Sequence, residues 1–212
     1  MGWGEKGNVY KDEPYSSIFE MNIKKLNHKG YFTELFRGPK TIVIVSFFLS
    51  HPTGTFLQRE IIKRCRLAKA TASKELSRLE GLDLFTVERV GQAKLYRLNR
   101  SSLFVKQLKR FFNLVSPLLQ EFLSPLRSRL VKAVVFGSYG RGEDREDSDV
   151  DILLVGDVSR EDAVSSARSI SATYGKTVSF IIRTPEEYLS MPKKEQVLWN
   201  KIQVGGEIVH GA

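Results

Sequence analysis

GSYGRGEDREDSDVDILLV, residues 137–155, decides the reading of this chain. It follows an apolar run, Val131–Phe136, that has the composition of a strand. A Gly-Ser turn at the end of a strand presents backbone N–H groups and a hydroxyl to an incoming phosphate. Gly137 permits close approach of the phosphate, and Ser138 is placed to hydrogen-bond a terminal phosphate oxygen. Asp149 and Asp151 are spaced by two at the start of a second apolar run, so both carboxylates leave one face of a strand. Two hard oxygen donors suit Mg²⁺, or Mn²⁺, which is completed by substrate phosphates. Arg141 would neutralise phosphate charge or pair with the acids of the intervening loop. Taken singly, the Gly-Ser pair is any tight turn and the two aspartates a solvated strand start; their order is what points to a phosphate and a metal held together.

Downstream, strands alternate with helices. Asp149–Val155 is a strand, and Ser159–Tyr174 an amphipathic helix with Ala163, Val164, Ala167, Ile170 and Ser171 toward the core. Lys176–Ile182 is a third strand. Thr184-Pro185-Glu186-Glu187 opens a helix, with Thr as cap and Pro at the first helical position. Lys193–Val204 is the last helix, and Gly205-Gly206 turns the chain into Glu207–His210. This alternation predicts a sheet layer with helices.

Upstream, the charge changes. Residues 37–110 hold 16 Lys and Arg against 5 Asp and Glu, whereas residues 1–36 balance and residues 111–212 are slightly acidic, within a chain of 212 residues and net charge +9. A basic segment beside a near-neutral one suggests two modules, the first facing a polyanion; a solvated Lys/Arg surface is the plainer reading. Lys40–Ser50 reads as a helix because His51-Pro52-Thr53-Gly54 is a stop and turn signal. Phe56–Cys65 places Leu57, Ile61, Ile62 and Cys65 on one face, and Lys69–Glu80 does the same with Ala72, Leu76 and Leu79, ending at Gly81 in the place expected of a C-terminal glycine. Its other face carries Ala70, Ser73, Lys74 and Ser77, flanked by Thr71 and Arg78. Short polar and basic side chains without a central carboxylate suit a helix that enters the major groove. Leu84–Val90 and Lys94–Leu98 form a hairpin with Arg89 and Lys94 beside its turn. The candidate DNA-binding set is therefore Lys69, Thr71, Ser73, Lys74, Ser77, Arg78, Arg89 and Lys94.

Thr41–Asn99, through TASKELSRLEGLDLFTVERVG and AKLYRLN, resembles the MarR- and ArsR-like winged helix-turn-helix regulators. The resemblance implies binding to double-stranded DNA, although winged helices also serve as protein-protein modules. Ala68 stands where that family usually has a Ser cap, a substitution costing about 1 kcal/mol. Arg100–Leu130 reads as helix broken at Ser116-Pro117 and Ser124-Pro125, either a dimer helix or the layer joining two modules. From about Val131 to Gly211 the chain resembles the polymerase β-like nucleotidyltransferases, and is most similar to the minimal nucleotidyltransferase domains of archaea and bacteria. That resemblance implies Gly137, Ser138 and Arg141 as nucleotide-binding residues, Asp149 and Asp151 as metal ligands, and Ser138, Asp149 and Asp151 as the catalytic set. It also implies a third carboxylate on the next long strand. Here that strand reads Thr177-Val178-Ser179-Phe180-Ile181, so Ser179 occupies the acid's place. A serine hydroxyl is a weak, neutral ligand and cannot serve as a carboxylate base.

The predicted fold is therefore α+β: residues 1–36 as a loose tail with short helices, 37–100 as a winged helix, 101–130 as a helical linker, and 131–212 as a nucleotidyltransferase-type mixed sheet flanked by helices. The expected function is a DNA-binding regulator, forming a homodimer if the linker is a dimer helix, whose second domain binds Mg²⁺ and an NTP with little transfer. The alternative is an active enzyme that moves a nucleoside monophosphate to a protein, a nucleic acid or a small molecule. Related minimal domains act as antitoxins on HEPN-type partners. One cysteine, Cys65, and no signal-like N-terminus suggest a reducing cytoplasm. Cys65 reads as core, and His28, His51 and His210 lack metal-ligand spacing.

Overall fold

The computed structural model describes residues 38–211. The expectations for residues 1–36 lie outside the described residues. Among the described residues, those from Ile44 onward form one compact unit, and those up to Val43 belong to another. Helix α1 (Pro39–Ser50) is followed by a short strand β1 (Thr55–Leu57), α2 (Gln58–Arg64), α3 (Lys69–Glu80) and the hairpin β2 (Phe85–Val90) and β3 (Ala93–Leu98). The three strands form an antiparallel sheet in the order β1-β3-β2. Phe48, Phe56, Ile61, Leu76, Leu79, Phe85 and Tyr96 are buried together around this sheet, with Phe48 and Phe85 rings 4.4 Å apart. This is a winged-helix arrangement.

One local expectation is corrected. The stretch predicted as helix from Phe56 starts at Gln58, because Thr55–Leu57 pairs with Leu95–Arg97; the Glu60 carboxylate then accepts the Leu57 N–H at 2.7 Å. The helix over Lys69–Glu80 ends at Gly81 as expected, with Gly81 still right-handed (φ −64°) and Asp83 left-handed, at φ 58°. Aspartate tolerates that region, and here Asn99 Nδ2 donates to its carboxylate at 2.8 Å.

Helices α4 (Leu103–Leu114) and α5 (Pro117–Leu123) and a 3₁₀ turn (Ser124–Arg129) lead into β4 (Leu130–Phe136). The second sheet holds β4, β5 (Val150–Gly156), β6 (Val178–Arg183) and β7 (Glu207–His210) in the order β6-β5-β4-β7. β5 and β6 run parallel through the crossover helix α7 (Arg160–Tyr174), and the other pairs are antiparallel. One face packs Ala133, Val135, Ile152 and Leu154 against α5, the 3₁₀ turn and α7. The other packs Val134, Phe136, Leu153 and Val155 against α8 (Pro185–Lys194) and α9 (Gln196–Gln203). Burial on both faces is why β4 and β5 read as near-continuous apolar runs. Leu118, Leu119, Phe122, Leu123 and Leu126 belong to the first of these cores, so α5 and the 3₁₀ turn form a layer of the sheet domain.

Two more expectations change. On α7 it is Ser166 that is buried, donating to the Phe122 carbonyl at 2.6 Å, while Ser171 is exposed. The last predicted helix starts at Gln196 rather than Lys193, because Lys193 and Lys194 end the preceding helix and the chain breaks at Glu195, whose carboxylate is held by the Arg183 guanidinium at 2.6 and 2.9 Å.

Candidate functional site

β4 ends where β5 begins because the two strands are antiparallel, and β6 begins at the same end because it is parallel to β5. The consequence is that Gly137, Asp149, Asp151 and Ser179 meet at one edge of the sheet. Phe136 pairs with Asp151, and Asp151 pairs with Ser179. Gly137 adopts φ 69° and starts a short helix, α6 (Gly137–Arg141). A Cβ at this position would strike the Asp151 carboxylate, so both the backbone angle and the space require glycine. Ser138 is half-buried in the first turn of α6. The spacing of Asp149, Asp151, Leu153 and Val155 puts both carboxylates on the face covered by α8 and α9.

Ser179 Oγ donates to Asp149 Oδ2 at 3.2 Å. The Asp151 carboxyl is pushed above its usual range, first by burial and then by the Asp149 charge, with Lys201 and Arg141 pulling the other way. Arg141 Nε also donates to Glu143 Oε2 at 3.0 Å, so the loop-acid pairing foreseen for it is realised. Lys201, on α9, is a cation that sequence reading missed. No spacing relates it to Asp151; only the packing of α9 on the sheet brings it there. Glu186 and Glu187, the nearest acids downstream, begin α8: Glu187 accepts the Thr184 N–H at 2.9 Å as a capping box. Among the described residues no group of three or more His, Cys, Asp or Glu converges as a metal site. The residues present fit one divalent ion on two carboxylates, completed by phosphate and water, rather than a closed protein cage.

The loop from Gly142 to Ser148 is closely held. Asp144 is buried and accepts from Lys109 Nζ at 2.8 Å and Asn113 Nδ2 at 2.7 Å. Lys176 Nζ donates to the carbonyls of Arg145, Glu146 and Ser148 at 3.0, 2.7 and 3.2 Å.

On α3, Lys69, Ser73, Lys74 and Ser77 are exposed and Thr71 is half-buried. Arg78 is drawn to Glu75 at 2.6 Å, and Lys94 to Glu80 at 3.3 Å, so these two cations are partly neutralised. Arg89 is exposed beside the hairpin turn. His51 Nδ1 lies 2.8 Å from the Phe47 carbonyl, and Cys65 is buried, which raises its thiol pKa; both are structural.

A strand, a Gly-Ser turn, a paired-aspartate strand and a parallel neighbour define a nucleotidyltransferase-type domain, and residues 117–202 match the family model described as nucleotidyltransferase domain. A putative protein adenylyltransferase of Methanocaldococcus jannaschii is 35% identical over 81 residues, which is 38% of this chain and 74% of that protein. The chain belongs to the nucleotidyltransferase domain family. Among solved structures, a toxin–antitoxin complex with AMP-PNP aligns over 45% of this chain and 72% of its own at 18% identity and TM-score 0.35. NolR of Sinorhizobium fredii aligns over 50% of this chain and 97% of its own, at 18% identity and TM-score 0.34. No helix among the described residues is long and apolar enough to cross a membrane.

Proposed function

We propose that this protein binds double-stranded DNA through its winged helix and holds a nucleoside triphosphate with Mg²⁺ at Ser138, Asp149 and Asp151, transferring the nucleotide slowly or not at all. One observation carries the catalytic part: Ser179 is the strand partner of Asp151 and spends its hydroxyl on Asp149. In this reading Asp149 and Asp151 hold the metal, while Gly137, Ser138, Arg141 and Lys201 receive the phosphates. The bound ion would screen charge on the triphosphate and activate its α-phosphorus, but among the described residues no third carboxylate joins Asp149 and Asp151 to take the attacking hydroxyl's proton. Calorimetric titration with Mg²⁺ and ATP tests the binding. Asp149→Ala or Asp151→Ala should abolish it, and heat signals unchanged in both variants would overturn the site.

The DNA part is supported by the exposed Lys69, Ser73, Lys74 and Ser77 face and by the basic charge of residues 37–110. Affinity for duplex should fall with salt at a slope of about −0.9 per phosphate contact. Salt-insensitive binding, or none, removes this half of the reading.

A second reading is favoured by the relative from M. jannaschii, whose name makes it a putative protein adenylyltransferase. In it, the same site moves AMP to a protein acceptor. Label from α-labelled ATP on an added protein, lost in Asp151→Ala, would establish this reading over the first.

A further inference from the structure

The loop between the phosphate turn and Asp149 is anchored largely from outside the family's own residues. The family match starts at residue 117, yet the loop's side-chain and backbone partners include residues well before it. Thr53, in the winged-helix turn between α1 and β1, donates its N–H to Glu146 Oε1 at 3.0 Å and its hydroxyl to Glu146 Oε2. Arg100, two residues past the end of β3, donates to the Glu143 carbonyl at 2.7 Å. From α4, Lys109 and Asn113 hold the buried Asp144. Six residues separate Arg141 from Ser148, and this loop ends at Asp149. Any displacement of the winged helix on the loop therefore reaches both ends of the nucleotide site.

We propose that Thr53 and Arg100 are positioning residues for the nucleotide site, and that through them nucleotide binding and duplex binding are linked. The inference rests on the two-site reading above. Thr53 and Arg100 belong to the same sheet-and-turn framework that carries α3 and the β2–β3 hairpin, so a duplex seated on those elements acts on the loop's anchors. Linkage is reciprocal: whatever factor the duplex imposes on nucleotide affinity, nucleotide imposes on duplex affinity.

The test uses the full chain, Mg²⁺ with the β,γ-imido analogue of ATP, and a mixed-sequence duplex. Without DNA, Thr53→Val and Arg100→Met should each weaken analogue binding about fivefold or more, at the lower end of ordinary coupling between sites. Thr53→Ser, which keeps the donor, should restore it. In the wild type, saturating duplex should shift the analogue Kd by a similar factor, with the same factor recovered when duplex is titrated against saturating analogue. That shift should shrink toward unity in Thr53→Val. Circular-dichroism melts separate a folding defect in one variant from loss of positioning, and the two variants break different bonds. Analogue binding unchanged in both variants overturns the positioning role. Both ligands binding the wild type with no mutual shift overturns the linkage alone. If the wild type binds no analogue, the nucleotide reading and this inference fall together; if it binds analogue but no duplex, the DNA reading and the linkage fall while the variants still decide the positioning.

Discussion

Ser179 concentrates the chemistry of this protein at the residue scale. It stands in register with Asp151 and donates to Asp149, so it orders the carboxylate proposed to hold the metal without adding charge. Ser179→Asp would put a third carboxylate on the same strand edge. Nucleotidyl transfer in single-turnover assays with labelled ATP should rise by about 10²-fold, the usual scale for a positioned general base. No increase, with Mg²⁺-nucleotide binding intact, would show that something other than the missing acid limits transfer. Gly137 makes a second test. Ala there must adopt φ 69° and meet the Asp151 carboxylate, so it should cost about 1–2 kcal/mol from the backbone alone and weaken nucleotide binding as well. Denaturant titration alongside nucleotide titration checks both effects. Glu146 gives a pH dependence. Burial, the largest single cause, pushes its pKa up, but the two bonds from Thr53 together with the Glu146 backbone N–H and the His51 charge make the net shift downward. A folded-state pKa below the unfolded value stabilises above the ordinary glutamate range, and the stabilisation is lost as pH falls through the folded value. The stability gap between wild type and Glu146→Gln should thus be largest near neutrality and close in acid; a gap that persists there contradicts the assignment. At this scale Gly137, Asp149, Asp151 and the serine at 179 were legible, because each is defined by its position within one turn or one strand. Lys201 was not, because its relation to Asp151 runs between an exposed helix and a strand far apart in the chain.

Among the elements, α4 holds the 142–148 loop by a buried polar cluster. Lys109, Asp144 and Asn113 are almost fully buried, and none of their side-chain polar atoms lacks a partner. Burial above all lowers the Lys109 pKa, against the pull of Asp144. Removing one partner of a buried pair strands the other charge, so Lys109→Met should destabilise by about 3–5 kcal/mol in denaturant titrations. The double change Lys109→Met with Asp144→Leu should recover much of that loss. Element ends were read less well than element types. The helix expected to end at Gly81 does so, and the left-handed turn that follows falls on Asp83, where Asn99 is available to hold it. β1 is a strand only because β3 lies beside it, and the last helix starts at Gln196 rather than Lys193, after a break where Glu195 meets Arg183. Each miss comes from a partner distant in sequence that outweighs local propensity.

Seen as a whole molecule, the winged-helix elements from Ile44 onward and the sheet domain lie in one compact unit, joined through the Thr53, Arg100 and Lys109 contacts to the 142–148 loop. Scanning calorimetry should therefore show a single main transition for this unit, with near- and far-ultraviolet circular dichroism changing together; separate transitions would mean that these contacts do not couple the two modules. The mixed α and β content, the Gly-Ser turn at the end of a strand and the two aspartates on one strand face were determined by the sequence alone, since turns, strand periodicity and helix faces are local properties of neighbouring residues. Tertiary structure decided which cations flank Asp151, where Arg78 and Lys94 find their carboxylates, and that the loop before Asp149 is anchored by the winged helix. Those are contacts between segments tens of residues apart, and they exist only once the packing of buried apolar faces has fixed which surfaces meet.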